Sequence, residues 1–164
     1  MKNFGKLFLR LVLLIGLATG AQLARAADPD PAILAAVDRA IAALNAGSVA
    51  DTQAMFVDAP SAIVDDFPPY SWSGKAAVAD YMRDLKAILG QLSITQGRFH
   101  RNAQRFLSES GGRAMVVVPV SYPFLMSGKP QSANGDWLFI LAKQGDRWKV
   151  DVMALSLSHH TLLP

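Results

Sequence analysis

The hydrophobic period of this chain changes once, near residue 92, and that change restricts the fold more than any other feature. Before it, apolar residues recur every three or four positions; after it, they alternate. Asp30-Pro31 supplies an N-cap and a first-turn proline. Ile33, Leu34, Val37, Ile41 and Leu44 then fall on one face of a helix ending near Asn45-Ala46-Gly47. Ser48 with Asp51 predicts a short second helix through Met55-Phe56. A strand, Ser61 to Asp66, and a proline-stiffened aromatic loop, Phe67 to Gly74, come next. Val78, Tyr81, Met82, Leu85, Ile88 and Leu89 share a face of the third helix, with Ser73 as its cap and Gly90 as its stop.

The alternating runs 92–103, 104–109, 113–126, 132–143 and 147–157 are separated by turn chemistry at Gly111-Gly112, Ser127-Gly128-Lys129-Pro130 and Gln144-Gly145-Asp146. Helices followed by hairpins predict an α+β domain, its helices packed on one face of a curved antiparallel sheet. Alternation places Val118, Val120, Tyr122, Phe124 and Met126 on one inward face, Trp137 and Phe139 on the next, and Trp148, Val150, Val152 and Ala154 on the last. Met153 and Leu155 then point outward beside Lys149 and Asp151. An apolar outer patch of that kind predicts a homodimer.

Residues 1–26 read as a cleaved export signal. Lys2, Lys6 and Arg10 precede a short apolar run, Leu11 to Ala18, and Ala24-Arg25-Ala26 offers small residues where a signal peptidase cuts. The run meets Thr19, Gly20 and Gln22 too early for a membrane span. The expectation is a periplasmic or secreted domain, residues 27–164, with no membrane attachment after cleavage. Four of the 16 basic residues leave with the signal and none of the 13 acidic ones, so 12 face 13 and the net charge becomes −1. Such a surface excludes gripping a nucleic-acid backbone. With no cysteine there are no disulfides, thiolate metal sites or cysteine nucleophile. His159-His160 lacks metal-ligand spacing, Ser73-Gly74-Lys75 lacks a phosphate-binding glycine loop, and no G-x-S-x-G elbow exists. No metal and no cofactor is expected.

Ala43-Leu44-Asn45-Ala46-Gly47 with its following short helix, the acidic strand end Val64-Asp65-Asp66, and Trp72-Ser73-Gly74-Lys75-Ala76-Ala77-Val78 together resemble the SnoaL-like part of the nuclear transport factor 2 superfamily. The resemblance spans essentially all of residues 27–164. It implies a cone: a curved sheet wrapping three helices, a pocket at the open end, and often a homodimer. The superfamily holds isomerases, dehydratases, ligand binders and interaction modules, so the fold alone assigns no function. Of the ketosteroid isomerase site, the general-base Asp corresponds to Asp66, or to Asp65 if the register slips. The oxyanion tyrosine corresponds to Ala40, and the second acid falls near Gly135 to Trp137, with Asp136 on the wrong face. The His–Asp pairing of the dehydratases has one counterpart, His100 with Asp66.

Counting alternation from Ala62 and Val64 turns Asp66 inward, where an apolar pocket would raise its proton affinity and suit it to acid–base work. Asp65, Tyr70, Trp72, Tyr122, Phe124 and Trp137 are the expected ligand-contacting wall, and Tyr81 is expected to be core. The functional expectation is binding of a small organic ligand. The alternatives are a cofactor-independent isomerase or dehydratase using a pocket Asp, and an interaction domain with a filled pocket.

Overall fold

A computed structural model describes residues 29–162, with side chains through Leu157; the expected export signal lies outside the described residues. Helix α1 (Pro31–Ala46) begins where Asp30 accepts the Ala32 N–H. The other oxygen of the same carboxylate accepts from the Trp148 indole at 2.9 Å, so the cap also ties the helix to the last strand. Gly47, at φ 67°, ends it with its N–H on the Leu44 carbonyl. Helix α2 (Val49–Met55) is capped by Ser48, whose hydroxyl accepts the Asp51 N–H. Helix α3 (Ala77–Gln91) has no side-chain cap, and its N-cap is Ala76 rather than Ser73. Gly74, at φ 78°, turns the chain first, and its carbonyl accepts the Ala77 N–H. No described helix is long and apolar enough to cross a membrane.

Three long strands build the sheet: β6 (Arg113–Met126), β7 (Lys129–Gln144) and β8 (Arg147–Leu162). β1 (Ala62–Val64) and β2 (Ser71–Trp72) extend it beyond β8, while β3 (Ile94–Thr95), β4 (His100–Arg101) and β5 (Phe106–Ser110) share the far edge of β6. Among the described strands all pairings are antiparallel except β1 on β8, which is parallel, as is the isolated bridge of Phe56 to Val150. The sheet is therefore mixed at one edge, and the fold class is the expected α+β. The last strand runs past residue 157, its backbone pairing His159 with Asn134 and His160 with Ala133.

Two register shifts between β7 and β8 decide what faces the helices. Leu141 pairs with Val150 and Ile140 with Val152, which leaves Asp151 as an extra residue. Inward parity switches there. Trp148 and Val150 are buried before the bulge, and Met153 and Leu155 after it, at 0% and 5% exposure. Met153 and Leu155 are thus core residues, and the outer patch expected from unbroken alternation does not contain them. The outward residues are instead Val152 and Ala154. With their cross-strand partners they form two apolar rows, Phe106–Val117–Leu138–Ala154–Val64 and Met115–Ile140–Val152–Ala62.

The second shift lies between Asn134 and Gly135. A Cβ on Gly135 would stand 1.9 Å from the Ser156 carbonyl oxygen, so backbone meets backbone where a side chain would lie. Replacing Gly135 by Ala is expected to lower stability by about 1–3 kcal/mol, the usual cost of forcing atoms into filled space. Urea unfolding checks this: an unchanged midpoint would show that the bulge relaxes freely.

Candidate functional site

The site is organised by one buried carboxylate. Ile63 is fully buried on β1, so inward parity runs Ile63, Asp65, Phe67, while Ala62 and Val64 belong to the outer rows. Asp65 is 5% exposed and Asp66 is exposed, the reverse of the expectation. The three-residue strand is apolar on both faces, and its parallel seat on β8 chooses between them. The Tyr81 hydroxyl donates to Asp65 Oδ2 at 2.8 Å, and the Asp66 N–H donates to Oδ1 at 2.8 Å. Asp66 remains at the rim of the same cavity.

Tyr81 comes from the buried stripe of α3 and is held by rings. Trp72 meets it edge-on at 5.1 Å and Phe67 stacks at 6.0 Å. Trp72 is core, and its indole N–H goes to Asp84 rather than to a cavity. Tyr70 is 57% exposed at φ 69° in the turn after Pro69 and is not among the residues lining the cavity. Two of the expected wall residues are therefore scaffold or surface.

The cavity itself, about 360 Å³, opens between the second half of α3 and the strands. Leu85, Ile88 and Leu89 line one side; Phe99, Tyr122 and Phe124 line the other; Asp65 and Phe67 close the inner end. Tyr122 and Phe124 are where alternation expected them. Trp137 is not on the wall: it is wholly buried behind Phe99, ring centres 4.7 Å apart. Phe99 takes its place, fixed by Asn45, whose side chain donates to the Phe99 carbonyl and accepts its N–H at 2.9 and 2.8 Å. Neither Phe99 nor Tyr81 was legible as a site residue. The one available signal was the polar tip of Tyr81 on an otherwise apolar stripe, since a buried phenol requires a partner.

His100 does not meet Asp66. It is exposed on the edge strand β4 and borders a separate shallow depression with Arg98 and Gln96. No group of three or more His, Cys, Asp or Glu among the described residues is placed to hold a metal ion.

Burial, chiefly, pushes the Asp65 carboxyl up to about 7, against the opposing pull of the Tyr81 and Asp66 hydrogen bonds. Burial and the adjacent carboxylate also hold the Tyr81 phenol well above its ordinary value, so it stays a donor. A carboxyl with this affinity exchanges protons near neutrality, as either acid or base. It also shapes stability. Between 3.8 and about 7 the folded chain keeps a proton that the unfolded chain releases, so this group favours folding most at low pH and progressively less up to about 7. Relative to Asp65→Asn, the parent protein is expected to lose on the order of 4 kcal/mol across that window. Urea unfolding of both proteins at several pH values measures it, and parallel stability curves would show that Asp65 titrates normally.

By sequence the chain matches no family model and no curated protein. Solved structures do match. A scytalone dehydratase-like protein from Novosphingobium aromaticivorans superposes with a TM-score of 0.64 at 17% identity, over 81% of this chain and 86% of that one. Hexachlorocyclohexane dehydrochlorinase LinA type 2 gives 0.67 at 10% identity, over 81% and 87%. A ketosteroid isomerase-like protein from Erwinia carotovora atroseptica gives 0.62 at 17%, over 78% and 95%. At these identities the likeness concerns architecture alone: the chain has the SnoaL-like, nuclear transport factor 2-like cone fold.

Proposed function

We propose that this domain binds a small, largely apolar organic molecule in its cone, with Asp65 as the internal polar contact. The single observation carrying this reading is a cavity of about 360 Å³ that is walled by hydrocarbon and rings and ends on a buried carboxyl. That volume is within the usual range for small-molecule sites. Among the described residues lining it, Asp65 and Asp66 are the only charged ones. An anion entering there would face two carboxyls with no compensating cation among the described lining residues, which favours a neutral or basic ligand. A filled pocket, which the interaction-domain reading needs, is not supported by a cavity of this size. The reading includes export, on the strength of residues 1–26 alone.

A second reading is favoured by the raised proton affinity of Asp65. Such a carboxylate can take a proton from a carbon next to a carbonyl and return it elsewhere on the same molecule, an isomerisation needing no cofactor. It can likewise start an elimination. The solved structures of like fold include enzymes named for such chemistry, which lends this reading support at the level of fold only.

We also propose that a second copy covers the outer face of the sheet. The support is the pair of apolar rows centred on Leu138 and Ile140, in place of Met153 and Leu155. Sedimentation at micromolar concentration is expected to give twice the chain mass and Leu138→Lys to halve it; a wild-type monomer would refute the pairing.

The ligand reading is tested with a charge series on one ring system. Binding of 2-naphthol and 2-naphthylmethylamine is expected, with 2-naphthoate weaker by at least about tenfold at pH 8. Equal or tighter naphthoate binding would overturn the assignment of Asp65 and Asp66 to the site. Adding 2-tetralone in deuterated water separates binding from chemistry. Deuterium uptake beside the carbonyl that disappears in Asp65→Asn supports proton transfer, and uptake equal to buffer alone leaves a binding protein.

A further inference from the structure

Resting on the reading of this cavity as a ligand site, we propose that Gly97 is its specificity-determining position, setting the depth of ligand accepted by seating the Tyr122 ring. Gly97 lies on the connection between β3 and β4, and its φ is outside the left-handed region, so its backbone does not demand glycine. Its surroundings do. A Cβ built there would stand 2.0 Å from the Tyr122 hydroxyl oxygen, 2.3 Å from Cζ and 2.9 Å from Cε2. The phenol tip therefore occupies the space that any other residue at 97 would fill.

Neither partner has room to withdraw except in one direction. The Arg98 N–H is bonded to the Pro123 carbonyl at 3.3 Å, and the next residue, Phe99, is clamped by Asn45 through two hydrogen bonds. The backbone at 97 is thus pinned to β6 and to α1. The Tyr122 ring is flanked by Phe99 at 4.4 Å and by Phe124 at 5.4 Å between ring centres. Across the strand pair it faces Ala133, which is fully buried and also lines the cavity. A side chain at 97 closes the back, the two phenylalanines close the sides, and the ring is displaced into the cavity.

The same seating has a chemical consequence. The Tyr122 hydroxyl makes no hydrogen bond to any described residue, although Tyr122 is only 7% exposed. Its phenol is a second polar group of the cavity, distinct from the Asp65–Tyr81 pair, and Gly97 determines where that group stands. The two ends suit a neutral ligand carrying hydrogen-bonding groups on an apolar body, whose length the Tyr122 position limits.

The test uses two uncharged probes of different size, N-phenyl-1-naphthylamine by fluorescence and indole by competition, on the wild type, Gly97→Ala, Tyr122→Ala and the double variant. Gly97→Ala is expected to weaken the larger probe by at least about tenfold and indole by much less. In the Tyr122→Ala background the same substitution should have no effect, because the colliding ring is gone. If wild type binds the probes and Gly97→Ala binds them equally well, or if the loss persists without the Tyr122 ring, the inference fails while the cavity reading stands. If wild type binds neither probe, the cavity reading fails and takes this inference with it. Should Gly97→Ala not fold, the double variant decides: folding and binding like Tyr122→Ala supports the inference, and failure to fold overturns it.

Discussion

The carboxylate of Asp151 is the point on which the remainder of this structure depends. It is the extra residue of the β8 bulge, so it turns outward next to Val152 and leaves the inward face to switch from Val150 to Met153. One oxygen accepts both the backbone N–H and the hydroxyl of Ser61, at 3.0 and 2.7 Å, and the other accepts from Arg113 at 2.7 Å. Burial pushes its pKa up, but those bonds and the Arg113 charge together outweigh burial and hold the carboxyl below the ordinary carboxylate range. Ser61 is the residue before β1. By holding it, Asp151 fixes where the short strand begins on β8, hence its parity, hence that Ile63 and Asp65 face the helices. A bulge in the last strand thereby selects which of two adjacent acids is buried.

Burying that acid has costs that the neighbouring residues offset. Asp65 receives one hydrogen bond from Tyr81 and one from the backbone of Asp66, which satisfies an oxygen each. Tyr81 in turn is positioned by Phe67 and Trp72, and Trp72 by Asp84. The polar spot is rigid because its support is aromatic and closely packed on one side. On the other side, helix α3 carries Leu85, Ile88 and Leu89 half-buried along the cavity, with Leu85 and Ile88 also packed on the core. Asn45 keeps Phe99 from collapsing into that volume. The cavity is therefore the gap between two well-determined aromatic groups, one around Tyr81 and one around Tyr122.

Much of the architecture was legible because long elements carry their pattern redundantly. The six stripe residues of α3 and the inward run Val118 to Phe124 on β6 leave one reading each, and Tyr122 and Phe124 were placed on the cavity from it. The site was less legible where elements are short or irregular. Ala62, Ile63 and Val64 are apolar alike, so three residues could not tell Asp65 from Asp66. Met153 and Leu155 were assigned outward by an alternation that the bulge interrupts. Trp137 has the inward parity expected of it, but parity does not say whether a ring ends at a cavity or behind another ring. Phe99 stood in a polar stretch, and only its contact with Asn45 on α1 shows its role.

What the sequence by itself determined is whatever follows from local periodicity and turn chemistry: three helices, then a meander of long strands, an Asp30 cap, a Gly47 stop, and an acid at the end of the first strand. These are properties of neighbouring residues, and a 3.6- or 2-residue period reports them directly. What only the tertiary structure decided are relations between distant segments. They are the parallel seat of β1 on β8, the switch of face at Asp151, the pairing of Tyr81 with Asp65, and the fit of the Tyr122 ring over Gly97. Each depends on side chains from separate elements competing for one volume, and no pattern along the chain encodes the outcome of that competition.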